Sequence, residues 1–241
     1  RSLADARFPL QRGVTQCIAI PTTYPNFFAS LNPADTVILV SPLRRTLQTM
    51  LLGFSALLPS STNAHPIPVV ILPQLQECGA FPCDTGAPLA ETKELFPQPW
   101  LDWSEVERNV EWNRNEGVFE ATEDKNVARA RWVRHFIRSR PEKQVVVISH
   151  HGLLRRIVKA PHAHDRLKSV RRPVPSSSPH SRAPSLRLLA SYARPRPQPI
   201  QWQNAALREY HYADPTLADP EADLVRMPDE VRREPSPPHV S

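Results

Sequence analysis

One pattern constrains this chain more than any other, and it occurs twice. Thr36-Val37-Ile38-Leu39-Val40 is an unbroken apolar, β-branched run, and Gln144-Val145-Val146-Val147-Ile148 is a second one. Such runs are strands covered on both faces, as in parallel sheets packed between helices. Each ends on a serine and passes directly into a helical pattern. After Ser41-Pro42, residues Leu47, Met50, Leu51 and Phe54 recur about a turn apart, with serine placed as N-cap and proline at the first helical position. After Ser149-His150-His151-Gly152 a shorter helix is predicted over 153–158. A third run, Val69-Val70-Ile71-Leu72, completes a set of βα units. The fold class is therefore α/β with a largely parallel sheet, and its site is expected beyond the C-terminal ends of the strands.

Between the second and third of these strands, residues 121–140 read as an amphipathic helix. Ala128, Trp132 and Phe136, with Val133 and Ile137, are set to face the sheet, and the Arg and Lys residues are set to face water. Residues 1–158 are thus predicted to form the core. Residues 159–199 hold eight prolines and are predicted to be an unstructured Pro/Ser/Arg-rich insertion. Residues 200–213 are predicted to supply the last core strand, marked by Leu207, Tyr210 and Tyr212, and residues 214–241 a mobile tail.

The net charge of +6 is unevenly placed. From Lys159 to Gln198 there are nine Lys or Arg and one acid, a net of +8, so the rest of the chain sums to −2. The predicted core is not basic, which leaves a polyanion-binding role to the insertion alone. That role ranks last, because the segment lacks aromatic interleaving and a folded scaffold; nucleic acid is not an expected partner. No apolar run approaches the roughly 20 residues of a membrane span. Cys17, Cys78 and Cys83 form neither an even disulfide set nor a metal knuckle, which favours a reducing, cytoplasmic setting.

Three features fall at the predicted strand ends: Arg45, Glu77 and His150. A guanidinium offers planar bidentate donors to phosphate oxygens, an imidazole can donate, accept or attack, and a carboxylic acid can protonate a leaving oxygen. Taken singly, Arg45 reads more readily as part of a solvated helix face than as a ligand-binding residue, and Glu77 as a surface loop carboxylate. The tandem His150-His151 is no zinc site, since adjacent residues at a strand end point opposite ways and no third ligand is suitably spaced.

Read together, the motifs resemble the histidine phosphatase superfamily, in its phosphoglycerate mutase-like, fungal-type branch. Ser41-Pro42-Leu43-Arg44-Arg45-Thr46-Leu47-Gln48-Thr49 resembles its Ser-Pro-x-x-Arg-Thr-x-x-Thr helix start. Leu75-Gln76-Glu77 through Pro82-Cys83-Asp84-Thr85-Gly86 resembles its acid loop, and Ser149-His150-His151-Gly152-Leu153-Leu154-Arg155 its second-histidine segment. Pro9-Leu10-Gln11-Arg12-Gly13 resembles the stretch before its first helix, and Asn204-Ala205 the approach to its last strand. The resemblance implies a three-layer α/β/α sandwich and phosphomonoester hydrolysis through a phosphohistidine. Arg45 is then a phosphate-binding residue, His150 the second histidine of the phosphate pocket and Glu77 the proton donor, with His151 only a neighbour. No metal and no cofactor is implied. The substrate would be a phosphorylated small molecule or a phosphoprotein.

One element of that pattern has no counterpart. The family's Arg-His-Gly triplet, which supplies the nucleophile at the end of a central strand, should precede Pro9, and residues 1–8 contain no histidine. The sheet is accordingly expected to lack its N-terminal central strand, in a truncated or mispredicted chain, with the 159–199 insertion as translated non-coding sequence. An inactive hydrolase follows, or a catalytically dead pseudoenzyme that binds phosphorylated partners.

Overall fold

The computed structural model describes residues 11–60, 62–159, 185–190, 207–214, 216 and 218–226. In chain order the elements are α1 (Gln11–Ile18), α2 (Ile20–Thr23), α3 (Pro25–Ala29), β1 (Thr36–Val40), α4 (Arg44–Gly53), β2 (Val69–Ile71), α5 (Leu89–Leu95), β3 (Leu101–Asp102), α6 (Ser104–Glu107), α7 (Glu123–Arg138), β4 (Gln144–Ser149), α8 (His151–Ile157), β5 (Ser185–Ala190), β6 (Leu207–Tyr212) and β7 (Leu224–Arg226). The strands form one sheet in the order β3-β2-β1-β4-β5-β6-β7. From β3 to β5 every pairing is parallel, and β6 runs antiparallel to both of its neighbours.

Strand alternation divides the core into two layers, one on each sheet face. Ile38, Val40, Val146, Ile148 and Leu189 face α2, α3 and α4, where Ile20, Phe27, Leu47, Met50 and, just past α4, Phe54 cover them. Val37, Leu39, Val145, Val147, Leu186 and Leu188 face α7 and α8 through Val133, Ile137, Leu153 and Ile157. β1 is buried along its whole length and β4 from Val145 onward, as their apolar runs require. The result is a three-layer α/β/α sandwich.

The structure departs from the sequence expectations in four places. The sheet has no gap beside β4. Its second edge pairs in register with β5, from Gln144↔Ser185 to Ser149↔Ala190, and β5 lies inside the segment read as an unstructured insertion. Ser185-Leu186-Arg187-Leu188-Leu189-Ala190 is a short apolar strand whose flanking prolines and arginines dominate the segment's composition. In the tail, Leu224–Arg226 adds β7 to the edge of β6. Helix α4 starts at Arg44, with Leu43 in extended geometry as N-cap, and Ser41 Oγ accepts from Leu43 N at 3.3 Å in a turn ahead of it. On α7, Trp132 is 41% exposed while Arg129 and Arg134 are buried, so the buried stripe lies to one side of the one predicted. Both arginines are stabilised there by bonding to carbonyls. Arg134 donates to Glu221 O at 2.9 Å, and Arg129 to Glu77 O at 3.1 Å. Pro9, Leu10 and Asn204-Ala205, and most of the 159–199 segment, lie outside the described residues.

Candidate functional site

The site grows out of the rim where β1, β2 and β4 end. Backbone bonds hold the three ends together: Ser41 N donates to Ile148 O at 3.1 Å, and Leu72 N to Val40 O at 2.8 Å. The Ser149 hydroxyl adds a bond to Leu75 O at 2.7 Å. Ser41-Pro42-Leu43 then forms a tight turn, closed by Thr46 Oγ1, which donates to Ser41 O at 2.9 Å. This turn projects Arg45 over the end of β4, where His150 stands.

Arg45 and His150 are in direct contact. Arg45 Nε donates to His150 Nδ1 at 3.1 Å, and His150 Nε2 lies 2.9 Å from Ser41 Oγ. Because guanidinium nitrogens only donate, Nδ1 is the bare nitrogen, and the neutral ring carries its proton on Nε2 and donates to Ser41. The ring is buried. Burial first, then the charges of Arg45 and Arg129, hold its pKa well below the ordinary 6.5, so His150 is a neutral hydrogen-bonding group at neutral pH. His151 is half-buried, and its pKa is lowered by burial and by Arg155.

The outer edge of the Arg45 guanidinium meets the 79–87 loop. One terminal nitrogen donates to Cys83 O, and the other donates to Asp84 Oδ1 at 3.2 Å. The loop is held in turn from beneath. Phe81 O accepts from Asp84 N at 2.8 Å, Asn115 Nδ2 donates to Thr85 Oγ1 at 3.0 Å, and the Trp112 ring lies flush on Gly86. A Cβ at Gly86 would come within 1.9 Å of that ring, so only glycine fits. A cavity of about 350 Å³ opens beside Arg45 between α4 and this loop, lined by Arg44, Gln48, Thr85 and Phe96 among others.

Glu77 belongs to the same rim but is held separately. Its carboxylate accepts from Cys78 N at 2.8 Å and from Gly152 N at 3.4 Å, beside the first turn of α8. Its carbonyl is gripped by Arg129, which also donates to Asn126 Oδ1 at 2.7 Å. The neighbouring Cys78 is no nucleophile at neutral pH. Burial first, then the Glu77 charge, pushes its thiol up to about 11.

Of the residues picked from the sequence, Arg45 and His150 are brought into contact, and Glu77 stands on the adjoining segment. Three that sequence reasoning did not assign are Ser41, Asp84 and Arg129. Ser41 and Asp84 lie within the quoted motifs and carry a signal there. Arg129 sits mid-helix among other arginines and carries none. Among the described residues no group of three or more His, Cys, Asp or Glu is disposed to hold a metal ion, and no helix is long and apolar enough to cross a membrane.

An α/β/α sandwich with an arginine-histidine pair where adjacent parallel strands end is the architecture of phosphoglycerate mutase-like proteins. The chain belongs to the histidine phosphatase superfamily (branch 1), whose family model matches residues 24–172. It is 33% identical over 135 residues to a probable phosphatase of Schizosaccharomyces pombe, an alignment covering 56% of this chain and 59% of that protein. The chain therefore spans little more than half the length of this relative. No solved structure matches it.

Proposed function

We propose that the rim around Arg45 and His150 is a phosphate-ester site, and that the chain descends from enzymes that hydrolyse phosphomonoesters through a phosphohistidine. The observation that carries this reading is the Arg45–His150 contact at 3.1 Å, which places a fork of charge-assisted donors beside a polar imidazole. In hydrolysis a nucleophilic histidine nitrogen bonds to phosphorus as the P–O ester bond breaks, and the leaving alkoxide takes a proton. Water then cleaves the phosphohistidine. In this scheme Arg45 and His150 hold the phosphoryl oxygens as negative charge develops on them, and Glu77 supplies the proton. The substrate is a phosphorylated small molecule or a phosphoprotein. The relative's name, probable phosphatase, supports the same reaction class, and three free thiols support a cytoplasmic setting.

The 241 residues contain no Arg-His-Gly triplet. That absence favours a second reading for this chain alone, a phosphate-binding protein without turnover. Activity on p-nitrophenyl phosphate separates the two. This chain is expected to show none, and a version joined to a strand ending in Arg-His-Gly is expected to gain it. Turnover by the 241-residue chain that is lost in His150→Ala would overturn the assignment of His150 as a pocket histidine rather than the nucleophile.

A further inference from the structure

The phosphate-binding edge of Arg45 faces a carboxylate of the chain itself. Asp84 Oδ1 takes one terminal nitrogen at 3.2 Å and Cys83 O takes the other, so two adjacent oxygens of one loop span the guanidinium fork. Two oxygens on two parallel N–H directions is the geometry that a phosphate monoester would present. The pair is largely shielded, with side-chain exposures of 23% for Arg45 and 14% for Asp84, and it borders the 350 Å³ cavity.

The construction of the loop allows this carboxylate to leave. Its far end is pinned by Trp112 on Gly86 and by Asn115 on Thr85. Its near end is tied down at Cys78, whose carbonyl accepts from Asn126 Nδ2 at 3.1 Å, and among the described residues the 80–83 stretch beyond it is bonded only within the loop, chiefly through Phe81 O, and to Arg45. Ala80, Phe81, Pro82 and Cys83 are exposed, Phe81 at 63%. Asp84 Oδ2 packs against Gly79, where a Cβ would stand 2.4 Å away, so the side chain is seated by a bare backbone that it can quit without repacking the core.

We propose that Asp84 is a built-in anion occupying the phosphate position on Arg45, and that an incoming phosphate monoester binds by displacing it and turning the 79–84 segment outward. This rests on the reading of Arg45 as a phosphate residue. Its consequence is opposite in sign to that of a positioning role. If Asp84 only aims Arg45, removing its charge weakens phosphate binding; if Asp84 competes, removing it strengthens binding, because the fraction of open pockets rises.

The test is calorimetric titration of inorganic phosphate into the 241-residue protein and its Asp84→Asn, Asp84→Ala and Arg45→Ala variants, each checked for an unchanged melting temperature and circular dichroism spectrum. Asp84→Ala is expected to bind phosphate about tenfold more tightly than the parent, Asp84→Asn to fall between them, and Arg45→Ala to bind about tenfold or more weakly than the parent. Equal or weaker binding by both Asp84 variants, with the parent binding through Arg45, would overturn the competing role and leave the phosphate site standing. Absence of phosphate binding in the parent and both Asp84 variants would overturn the phosphate site itself, and the proposal with it. Should Asp84→Ala unfold, the isosteric Asp84→Asn decides alone.

Discussion

Arg45 and His150, 105 residues apart in sequence, meet at 3.1 Å because β1 and β4 are parallel neighbours that end at the same height. The register Val40↔Ile148 sets Ser41 beside Ser149, and each following residue then turns into the rim. The contact fixes the guanidinium on its Nε edge and the imidazole in a single tautomer, so the polar groups of the pocket are oriented before any ligand arrives.

The first prediction concerns pH. His150 is neutral when folded and titrates at the ordinary 6.5 when unfolded. Below 6.5 the unfolded chain binds the additional proton, so stability falls with falling pH until the depressed folded pKa is reached. The slope from one such group is at most about 1.4 kcal/mol per pH unit. Melting temperatures recorded from pH 7.5 to 5 should therefore decline, and His150→Asn, which cannot titrate, should flatten most of the decline. His151, shifted in the same direction, accounts for a remainder. An identical slope in His150→Asn would show that His150 is not held neutral.

A second prediction tests the seat of the 79–87 loop. Gly86→Ala forces a methyl group into the Trp112 ring, which is itself 1% exposed and cannot retreat. Overpacking of this kind costs about 1–3 kcal/mol. Urea denaturation should show that loss with an unchanged m-value, and tryptophan fluorescence should shift. Wild-type stability in Gly86→Ala would mean that the loop does not rest on Trp112.

The third concerns β5. Leu188 is fully buried between β4, β6 and the α7 layer. Leu188→Ala should cost about 2–5 kcal/mol, as a core truncation does, and Leu188→Asp should leave the protein unfolded by circular dichroism. If both variants melt like the parent, residues 185–190 are not part of the sheet.

How much of this was legible in sequence follows from what each signal depends on. β1, β2 and β4 were readable because two-sided burial demands unbroken apolar runs, and Arg45 and His150 because they sit where such runs end. β5 was not, since its six residues are outweighed by the prolines and arginines around them. The start of α4 lies two residues further on because Ser41 Oγ, besides meeting His150, accepts from Leu43 N in a local turn, and the helix begins only after Leu43. Trp132 and Phe136 were read as core and Arg129 and Arg134 as solvated, the natural choice from hydropathy. The structure keeps Phe136 half-buried against the core but exposes Trp132 and buries both arginines, because carbonyls of the Glu77 segment and the 219–223 segment lie on that side of α7. Asp84 could be placed in a loop but not against Arg45, since nothing local encodes that meeting.

The most direct test of the central claim is phosphorus NMR of inorganic phosphate titrated with this protein and with Arg45→Ala and Arg45→Lys. Saturable broadening of the phosphate resonance by the parent is predicted. Affinity should drop about tenfold or more in Arg45→Ala, and a deficit should persist in Arg45→Lys, because a point charge does not reproduce the planar fork. Equal broadening by the parent and Arg45→Ala would contradict the account and remove Arg45 from the site.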